Sequence, residues 1–489
     1  MAPRETEIKL DGNPDEAARV RAALERWLGV PDRVDRLVSR YFDTAASDLR
    51  QHGLTLRVRD TGSRFVQTVK ASPEGAGSLL VRDEWEATVV SGTPDLSAAR
   101  STPAGAVLAA ATLPLVAAFR SDVERCSWTV HRPAGTVEVA MDVGSVATSV
   151  AATRFLEVEL ELKSGEPAAV LALLGHLPAD VGLTVGVQTK SERGFLLLGG
   201  SRNKPFKAEP VALRPGMPAV EALQVILRSC LRHIRLNEPG ASERRGDSLH
   251  QARVGVRRLR CALSLFPAVL ADDAREPLRA RLRVLSEVLG EARDLDVMIE
   301  RLVQPGPSRD AELLSRLTGR RAEAYDRVVA ALLGPVHAAL MLDLLGWIEG
   351  GAWTRAPHRG AIEPVVAATL RRIRKRIRRR GRHLGRLAPA ERHQVRIAGK
   401  KLRYGTEFVA ALASRPSEKR RHAATVTAAE ALQDVLGTLN DRDTARRDAE
   451  QGGGPPVTAP AEDDTHLLAQ AVAARRKMLD IKPFWRDWE

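Results

Sequence analysis

Near its N-terminus the sequence reads Glu5-Thr6-Glu7-Ile8-Lys9, in which charged residues alternate with uncharged ones. Successive side chains of a β-strand point to opposite faces, so the two glutamates and the lysine share one face. Apolar and polar residues alternate in short runs at Thr6–Leu10, Leu54–Arg59, Phe65–Lys70, Val137–Asp142 and Phe155–Lys163. This pattern predicts half-buried strands, whereas Asp15–Leu28 and Pro167–Leu177 are predicted to be short helices.

Charges of both signs alternate along several strands of this half. They are Arg57 and Arg59; Arg82, Glu84 and Glu86; and Glu157, Glu159, Glu161 and Lys163. A solvated sheet face explains each strand taken singly. Taken together, the strands favour a sheet that curls so that its charged faces line a cavity. Arginine and lysine bind phosphate oxygens and carboxylates hold Mg²⁺ or Mn²⁺, so such a cavity suits a metal-bound polyphosphate.

The composition indicates a globular chain with more than one domain. Its 489 residues are 44% hydrophobic, which excludes wholesale disorder, and only 4% aromatic, which with abundant arginine and alanine favours helix over an all-β sandwich. No apolar stretch approaches ~18 residues, and the N-terminus is charged where a signal peptide is apolar. The three cysteines are scattered, which argues against a disulfide framework or a cysteine metal site. We therefore expect a reduced, cytoplasmic protein without a membrane partner.

The charge is divided unevenly along the chain. Residues 1–200 carry 22 Lys and Arg against 26 Asp and Glu, whereas the remaining residues carry 53 against 35. This asymmetry predicts two domains with different electrostatic roles, the second of which attracts a polyanion. Four prolines between residues 201 and 218 exclude a helix or central strand there. We predict a strand-rich domain over residues 1–200, a Pro-rich linker over 201–218 and a helical domain over 219–489.

An ordered series of motifs in the first 195 residues resembles the CYTH, or triphosphate tunnel metalloenzyme, superfamily. The motifs are Glu5-x-Glu7-x-Lys9, Tyr41-Phe42-Asp43-Thr44, Leu56-Arg57-Val58-Arg59, Thr68-Val69-Lys70, Arg82-x-Glu84-x-Glu86, Arg125-x-x-Trp128, Phe155-x-Glu157-x-Glu159 and Thr189-Lys190-Ser191. The resemblance implies an eight-stranded antiparallel tunnel that binds triphosphate and a divalent metal, Mg²⁺ or Mn²⁺.

The same resemblance implies roles for individual residues. The implied catalytic residues are Glu5, Glu7, Lys9, Glu157, Glu159 and Lys190. The implied metal ligands are Glu5, Glu7, Glu157 and Glu159, with Glu161 as a further candidate. The implied phosphate-binding residues are Arg57, Arg59, Lys70, Arg82 and Arg125, joined by the two catalytic lysines. Asp142 is a further candidate for orienting a phosphate-binding base or a water.

The basic half of the chain contains an internal repeat. The first copy reads His250-x-x-Arg253-x-x-x-Arg257-Arg258-x-Arg260, and the second reads His393-x-x-Arg396-x-x-x-Lys400-Lys401-x-Arg403. On a helix the basic residues of each copy fall within an arc of roughly 160°. Each copy is followed by a second matched motif, Leu289-Gly290-x-x-Arg293-Asp294-x-Asp296 or Leu436-Gly437-x-x-Asn440-Asp441-x-Asp443. The duplication predicts two similar helical bundles related by a pseudo-two-fold axis, with the aspartates forming ion pairs in preference to a metal site.

This duplicated region resembles the CHAD domain, whose family binds inorganic polyphosphate and often follows CYTH. The resemblance implies polyphosphate binding by His250, Arg253, Arg257, Arg258, Arg260, His393, Arg396, Lys400, Lys401 and Arg403. Between the two copies lies the basic run Arg371–Arg380, and residues 351–400, which include this run and the start of the second copy, hold 15 basic and 2 acidic residues. Because few aromatic residues are present to stack on bases, polyphosphate is favoured over specific nucleic-acid binding.

Together the resemblances predict an α+β chain, with an eight-stranded antiparallel β tunnel followed by an all-α, duplicated helical-bundle domain. The expected activity is metal-dependent hydrolysis of inorganic triphosphate to pyrophosphate and phosphate, with the attacking water oriented by the Glu157 and Glu159 strand. Two alternatives stay open. The tunnel acts on an organic triphosphate, as adenylate cyclases and thiamine triphosphatases do, or the chain is a non-catalytic polyphosphate-binding protein. The predicted location is the cytoplasm, in association with polyphosphate granules.

Overall fold

The computed structural model describes residues 4–72, 79–111, 113–178, 181–200, 204–303, 311–355, 360–450 and 461–488. The strands are β1 (Arg4–Gly12), β2 (Arg33–Thr44), β3 (Leu54–Asp60), β4 (Phe65–Ala71), β5 (Leu79–Val89), β6 (Leu115–Arg132), β7 (Gly135–Ala147), β8 (Ala152–Gly165) and β9 (Thr184–Val185). All five strand segments predicted above lie within β1, β3, β4, β7 and β8. The long strands β2 and β6 were not predicted, because their burial does not alternate regularly.

The helices fall into two groups. Those of the first 200 residues are α1 (Ala17–Leu28), α2 (Asp48–Gln51), α3 (Leu96–Arg100), α4 (Pro103–Ala110), α5 (Ala168–Gly175) and α6 (Lys190–Leu198). The later ones are α7 (Ala219–Ser242), α8 (Gly246–Leu265), α9 (Arg275–Val303), α10 (Ala311–Leu333), α11 (Pro335–Gly350), α12 (Ile362–Arg380), α13 (Pro389–Phe408), α14 (Pro416–Glu450) and α15 (Ala461–Asp480).

The sheet closes on itself. Its strands run in the order β5-β4-β3-β2-β6-β7-β8-β1, and β1 also pairs with β5. Every pairing is antiparallel, and the two-residue strand β9 adds to β1. The predicted α+β class, with an eight-stranded antiparallel barrel followed by a helical region, is confirmed. Closure leaves no open edge among the eight strands.

Alternation along β3 separates a charged inner face from an apolar outer face. On β3, Leu54, Leu56 and Val58 are buried and pack with Leu49 of α2 and Ala104 of α4. Each fully buried aliphatic side chain stabilises the fold by about 1.5–3 kcal/mol. The charged residues between them point the other way, into the barrel. The helices on this side therefore cover the apolar face and leave the charged face to the interior.

The chain forms two compact units. The first comprises Met1–Ala208, Arg228–Val256 and Glu276–Thr354, and the second comprises Glu209–Leu227, Arg257–Arg275 and Arg355–Glu489. The barrel thus shares its unit with a large part of the helical region. The boundaries predicted from sequence, at residues 200 and 218, stay a prediction.

Membrane-spanning segments were sought among the described residues. No single helix there is long and apolar enough to cross a bilayer. One pair of helices, Ala311–Leu333 with Pro335–Arg355, passes the length and composition test jointly, with a bend of 51° between its members.

A buried ion pair in the first unit predicts that the stability of the protein depends on pH. Glu238 of α7 accepts a hydrogen bond from His337 Nε2 at 2.7 Å and pairs with Arg235. Burial acts to raise the pKa of Glu238, but Arg235 and His337 outweigh burial and lower the pKa from 4.5 to about 2. The pKa of Glu238 is lower in the folded protein than in the unfolded chain. The ion pair therefore contributes its full free energy of stabilisation at pH values above the unfolded pKa. This contribution is lost as the pH falls towards the folded pKa.

Glu238→Gln is therefore expected to lower stability by on the order of 3 kcal/mol near pH 7 and by clearly less near pH 3. Urea-unfolding midpoints of the variant and the original protein, followed by circular dichroism, should converge as the pH is lowered. A gap between the midpoints that stays constant or widens would contradict the prediction.

Candidate functional site

Cross-strand register brings the charged residues of the barrel together. Lys9 lies opposite Glu159 in the β1–β8 pairing, and Glu5 lies opposite Arg82 in the β1–β5 pairing. Directly opposed side chains have Cβ atoms about 4.5–5.5 Å apart. Residues that are far apart in sequence therefore meet on the inner face as a network of opposite charges.

Two lysines meet at the carboxylates of β8. Lys9 Nζ donates a hydrogen bond to Glu157 Oε1 at 3.1 Å and another to Glu159 Oε1. Lys190 Nζ donates to the same two oxygens, the one on Glu159 at 3.1 Å. All four side chains are buried. Burial acts to lower the pKa of Lys9, but the β8 carboxylates outweigh burial and raise it, so the ammonium keeps its charge.

Asp142 on β7 orients two cations. Arg125 Nε and Nη2 donate to the two Asp142 oxygens at 2.7 Å each, and Arg125 Nη2 donates also to Glu159 Oε2 at 2.6 Å. Lys190 Nζ lies 2.7 Å from Asp142 Oδ2. Burial acts to raise the pKa of Asp142, but Lys190 and Arg125 outweigh burial and lower it. The ionised carboxylate therefore holds an arginine and a lysine at fixed positions.

Glu5 anchors a second cluster on the other side of β1. Lys70 Nζ donates to both Glu5 oxygens at 2.9 Å, and Arg82 Nε donates to Glu5 Oε2 at 2.7 Å. Arg82 Nη2 also donates to Glu7 Oε1 at 2.8 Å, and Lys70 Nζ lies 2.9 Å from Glu84 Oε2. Burial acts to raise the pKa of Glu5, but Lys70 and Arg82 outweigh burial and lower it well below its usual range.

The arginines of β3 form a cationic wall. Arg57 Nε is buried and has no hydrogen-bond partner among the described residues. Arg59 Nε donates to Ser39 Oγ at 3.3 Å. Burial and repulsion by Arg57 and Arg125 lower the pKa of Arg59 to about 10. Arg57 also lies 3.8 Å from Glu84, whereas the crowded Arg59 guanidinium would be stabilised by a bound anion.

The acidic residues fit a divalent cation. One oxygen each of Asp142, Glu157 and Glu159 lies within 4.8 Å of the others. Glu157 Oε2 is buried and, within the part of the chain that the structure describes, accepts no hydrogen bond. Burial raises the pKa of Glu157. Three buried carboxylates this close together suit a divalent cation, which prefers hard oxygen ligands.

Glu161 extends the acidic row by one step along β8. It lies opposite Glu7 in the β1–β8 register and pairs with Lys163 at 2.8 Å. Burial raises the pKa of Glu161, and repulsion by Glu5 and Glu7 adds to the rise against the opposing effect of Lys163. Which of the five predicted glutamates bind the metal stays a prediction.

Helix α6 presents Lys190 to the barrel interior. Its first turn is a capping box, in which Thr189 Oγ1 accepts from Glu192 N at 3.2 Å and Glu192 Oε2 accepts from Thr189 N at 2.7 Å. A Cβ on Gly194 would lie 2.2 Å from the Phe119 ring, so only glycine allows α6 to approach β6 this closely. Lys190 is the first residue of α6, so the capping box and the packing of α6 against β6 fix the backbone position from which its side chain extends.

Tyr41 is an interior residue to which the sequence analysis assigned no role. It lies opposite Arg57 in the β2–β3 register and stacks on Phe119 with ring centroids 4.5 Å apart. Burial acts to raise the pKa of Tyr41, but Arg57, Lys190 and Arg59 outweigh burial and lower it. The Tyr41-Phe42-Asp43-Thr44 motif was the available signal, but the motif does not reveal that its tyrosine faces the cations.

The part of the earlier copy that lies in the first unit, up to Val256, pairs with the motif that follows it. Arg253 Nη1 donates to Asp294 Oδ1 at 2.7 Å and to Gly290 O at 3.3 Å. Asp296 accepts hydrogen bonds from Arg321 Nε at 2.6 Å and from the Tyr325 hydroxyl at 2.8 Å. The aspartates of this motif therefore form ion pairs, as predicted.

In the second unit the later copy repeats part of this arrangement. A Cβ on Gly437 would lie 3.6 Å from Arg396 Nη2, as a Cβ on Gly290 would from Arg253 Nη2 in the first unit. His393 Nδ1 lies 2.8 Å from Asn440 Oδ1. Each copy thus packs its first arginine against the glycine of the following motif, which is the structural counterpart of the sequence repeat.

The ten basic residues of the two copies are not a solvated face. Nine are half-buried, and Arg258 is buried, with its guanidinium 5.2 Å from the Phe408 ring centroid. The nine are His250, Arg253, Arg257, Arg260, His393, Arg396, Lys400, Lys401 and Arg403. Arg257 Nε donates to the Tyr404 hydroxyl at 2.7 Å. By contrast, most basic residues of α12 between residues 371 and 380 are exposed.

Comparison with known families divides the chain in two. Residues 3–195 match the CYTH domain and residues 225–449 match the CHAD domain. A curated relative, the inorganic triphosphatase of Haemophilus influenzae, is 25% identical over 195 residues, which cover 40% of this chain and 55% of the relative. The chain spans about half the length of that relative.

Two solved structures are similar to parts of the chain. The CHAD domain of the plant Ricinus communis is 30% identical with a TM-score of 0.44, and the match covers 57% of this chain and 93% of that one. A putative adenylyl cyclase from Hippeastrum, described as having a dominant triphosphatase activity, is 20% identical with a TM-score of 0.28. That match covers 40% of this chain and 96% of that one.

Proposed function

Since the chain carries a CYTH domain at its N-terminus and a CHAD domain at its C-terminus, we propose that its barrel hydrolyses inorganic triphosphate to pyrophosphate and phosphate with Mg²⁺ or Mn²⁺. This proposal rests on one observation: the barrel holds both the cationic wall of β3 and a buried cluster of carboxylates. The similarity of this region to an inorganic triphosphatase supports the same substrate class.

The charged network determines how the substrate is held. Arg57 and Arg59 offer half-buried guanidinium groups to phosphate oxygens. Asp142 keeps Arg125 and Lys190 in position, so that these donors need no reorganisation as charge develops on the phosphate. A divalent cation held by the glutamates would supply Lewis-acid polarisation of a phosphate oxygen.

The attacking water is oriented by the β8 carboxylates. Glu157 Oε2 is buried, and among the described residues no protein group donates a hydrogen bond to it. An oxygen in that state accepts a hydrogen bond from a water, and the raised pKa of Glu157 brings it closer to the range of a general base. Lys9 and Lys190 hold the other oxygen and fix the orientation of the carboxylate.

The deciding experiment is phosphate release from inorganic triphosphate, with ATP in parallel, in the presence of Mg²⁺, Mn²⁺ or a chelator. Chelator-sensitive release from triphosphate but not from ATP is expected. Equal release from ATP would favour an organic triphosphate as substrate. Absence of release from both, with polyphosphate still bound, would favour the non-catalytic alternative.

For the helical domain we propose binding of inorganic polyphosphate by the two repeated motifs. Their basic residues are half-buried and held by neighbours such as Asp294, Tyr404 and Asn440. Preorganised donors lose less side-chain entropy on binding than mobile ones do. The cytoplasmic, granule-associated location remains part of this proposal.

Replacing four basic residues of the repeat together by Gln is expected to weaken polyphosphate binding at least tenfold and to reduce the salt dependence of binding. The four residues are Arg253, Arg257, Arg396 and Lys400. The matched control replaces four exposed α12 residues, Lys375, Arg376, Arg378 and Arg379, by Gln and removes the same charge. Fluorescence titration with labelled polyphosphate at several salt concentrations measures both effects. A larger loss in the control would assign binding to α12 instead.

A further inference from the structure

The segment that delivers Lys190 to the tunnel is held on two sides. On one side β9 pairs with β1, and Gly186 N donates to Lys9 O at 2.9 Å. Beyond it, residues 186–189 form no helix or strand before α6 begins at Lys190. A connecting segment without its own secondary structure depends on outside contacts for its position.

The other side of this segment is held by the part of α7 from Arg228 onwards, which belongs to the same compact unit as the barrel. Arg232 Nη1 donates to Val187 O, and Arg232 Nη2 donates to Glu192 Oε1 at 2.5 Å. One turn further along α7, Arg235 Nε donates to Val185 O at 2.7 Å. The two arginines thus donate to three acceptors, of which two precede Lys190 in the sequence and one follows it.

Glu192 connects Arg232 to the helix that carries Lys190. One of its oxygens accepts from Thr189 N at 2.7 Å and closes the capping box, while the other accepts from Arg232. The cap therefore sets the start of α6, and Arg232 sets the position of the cap. Arg232 is 13% exposed, and charge-assisted hydrogen bonds at such half-buried positions are stronger than exposed ones.

We propose that Arg232 is a positioning residue for the tunnel, acting through Lys190, so that a helix of the CHAD region completes the active site of the CYTH region. The effect on turnover rests on the proposed function of the tunnel. Lys190 Nζ lies 2.7 Å from Asp142 Oδ2 and 3.1 Å from Glu159 Oε1. Because hydrogen bonds weaken steeply with distance, a shift of about 1 Å in the segment would separate Lys190 from these partners.

The test compares Arg232→Ala with Arg228→Ala in the full-length chain. Arg228 lies one turn earlier on α7 and is also 13% exposed, but it donates to both oxygens of Glu349 of α11 instead of to the segment. Arg232→Ala is expected to lower kcat for triphosphate about tenfold. Glu349 is 1% exposed, whereas Glu192 is 40% exposed. Arg228→Ala is therefore expected to lower the melting temperature at least as much as Arg232→Ala does, while leaving kcat within about twofold.

A double-mutant cycle separates positioning from general destabilisation. If Arg232 acts through Lys190, Arg232→Ala should have almost no further effect on kcat/KM in a Lys190→Ala background. Arg232→Lys keeps the charge but cannot bridge both acceptors, and partial recovery is expected. Full additivity of the two alanine variants, or an unchanged kcat in Arg232→Ala, would overturn the proposal.

Hydrogen exchange provides a readout that does not depend on activity. Amides of residues 186–191 are expected to exchange at least tenfold faster in Arg232→Ala than in Arg228→Ala. If the original protein releases no phosphate from triphosphate, the proposed function fails, but this comparison still decides whether Arg232 holds the segment. Equal exchange in the two variants would show that it does not.

Discussion

Replacing Glu7 by Gln is expected to lower metal-dependent hydrolysis of triphosphate by about 10²–10³-fold. Glu7 is 2% exposed on the inner face of the barrel, lies opposite Glu161 and accepts from Arg82. The substitution keeps the size of the side chain but removes the negative charge and one oxygen of the proposed metal site. We expect the Mg²⁺ concentration for half-maximal rate to rise as well, which steady-state assays over a metal titration measure.

The matched control for this substitution is Glu124→Gln on β6. Glu124 faces outwards with its side chain 63% exposed, and its nearest paired cation is Arg21 at 3.7 Å. Its replacement is expected to leave the rate and the metal dependence within about twofold, because exposed pairs contribute little. Retention of more than half the original rate by Glu7→Gln would remove Glu7 from the metal site.

Asp142→Asn is expected to lower kcat/KM for triphosphate by about 10²-fold or more and to destabilise the barrel by about 3–5 kcal/mol. The substitution leaves Arg125 and Lys190 without the carboxylate that holds them at 2.7 Å. Lys190 is buried and Arg125 is half-buried, and both keep Glu159 as a partner. The free energy cost arises because Asn removes one of the three negative charges that balance Lys9, Lys190 and Arg125 in this buried cluster. Steady-state kinetics and the melting temperature measure the two effects.

An Asp–Arg pair on the outer surface of the same barrel is the control. Asp122 accepts from Arg36 Nε at 3.1 Å and from Arg36 Nη2 at 2.9 Å, with Arg36 77% exposed. Asp122→Asn removes the same kind of two-pronged pair and is expected to cost less than about 1 kcal/mol. Similar losses of stability and activity in both variants would contradict the role assigned to Asp142.

Much of the candidate site was predictable because its residues lie at alternate positions along strands. Alternation is a local property, so Glu5, Glu7 and Lys9, or Glu157 and Glu159, share a face whatever their partners are. The motif order then indicated which family the strands resemble. The repeat in the helical half was equally visible, since it needs only one copy of the pattern to be compared with the other.

What could not be predicted depends on partners distant in sequence. Asp142 was one candidate among several for orienting a base, and only its contacts with Arg125 and Lys190 show which groups it holds. The capping signal Thr189-x-x-Glu192 was readable, but the bond from Arg232 to that glutamate joins residues 40 positions apart. Strand alternation carries no information about such contacts.

The local pattern of charges and apolar residues was therefore enough to predict five barrel strands, their charged inner face and the duplication of the basic motifs. The five are β1, β3, β4, β7 and β8. The closed register, by contrast, depends on pairing between β1 and β5 and between β2 and β6, which are separated by long stretches of chain. The same holds for the half-burial of the ten basic residues. Side-chain burial and ion pairing are set by which elements pack together, and packing is a property of the whole folded chain.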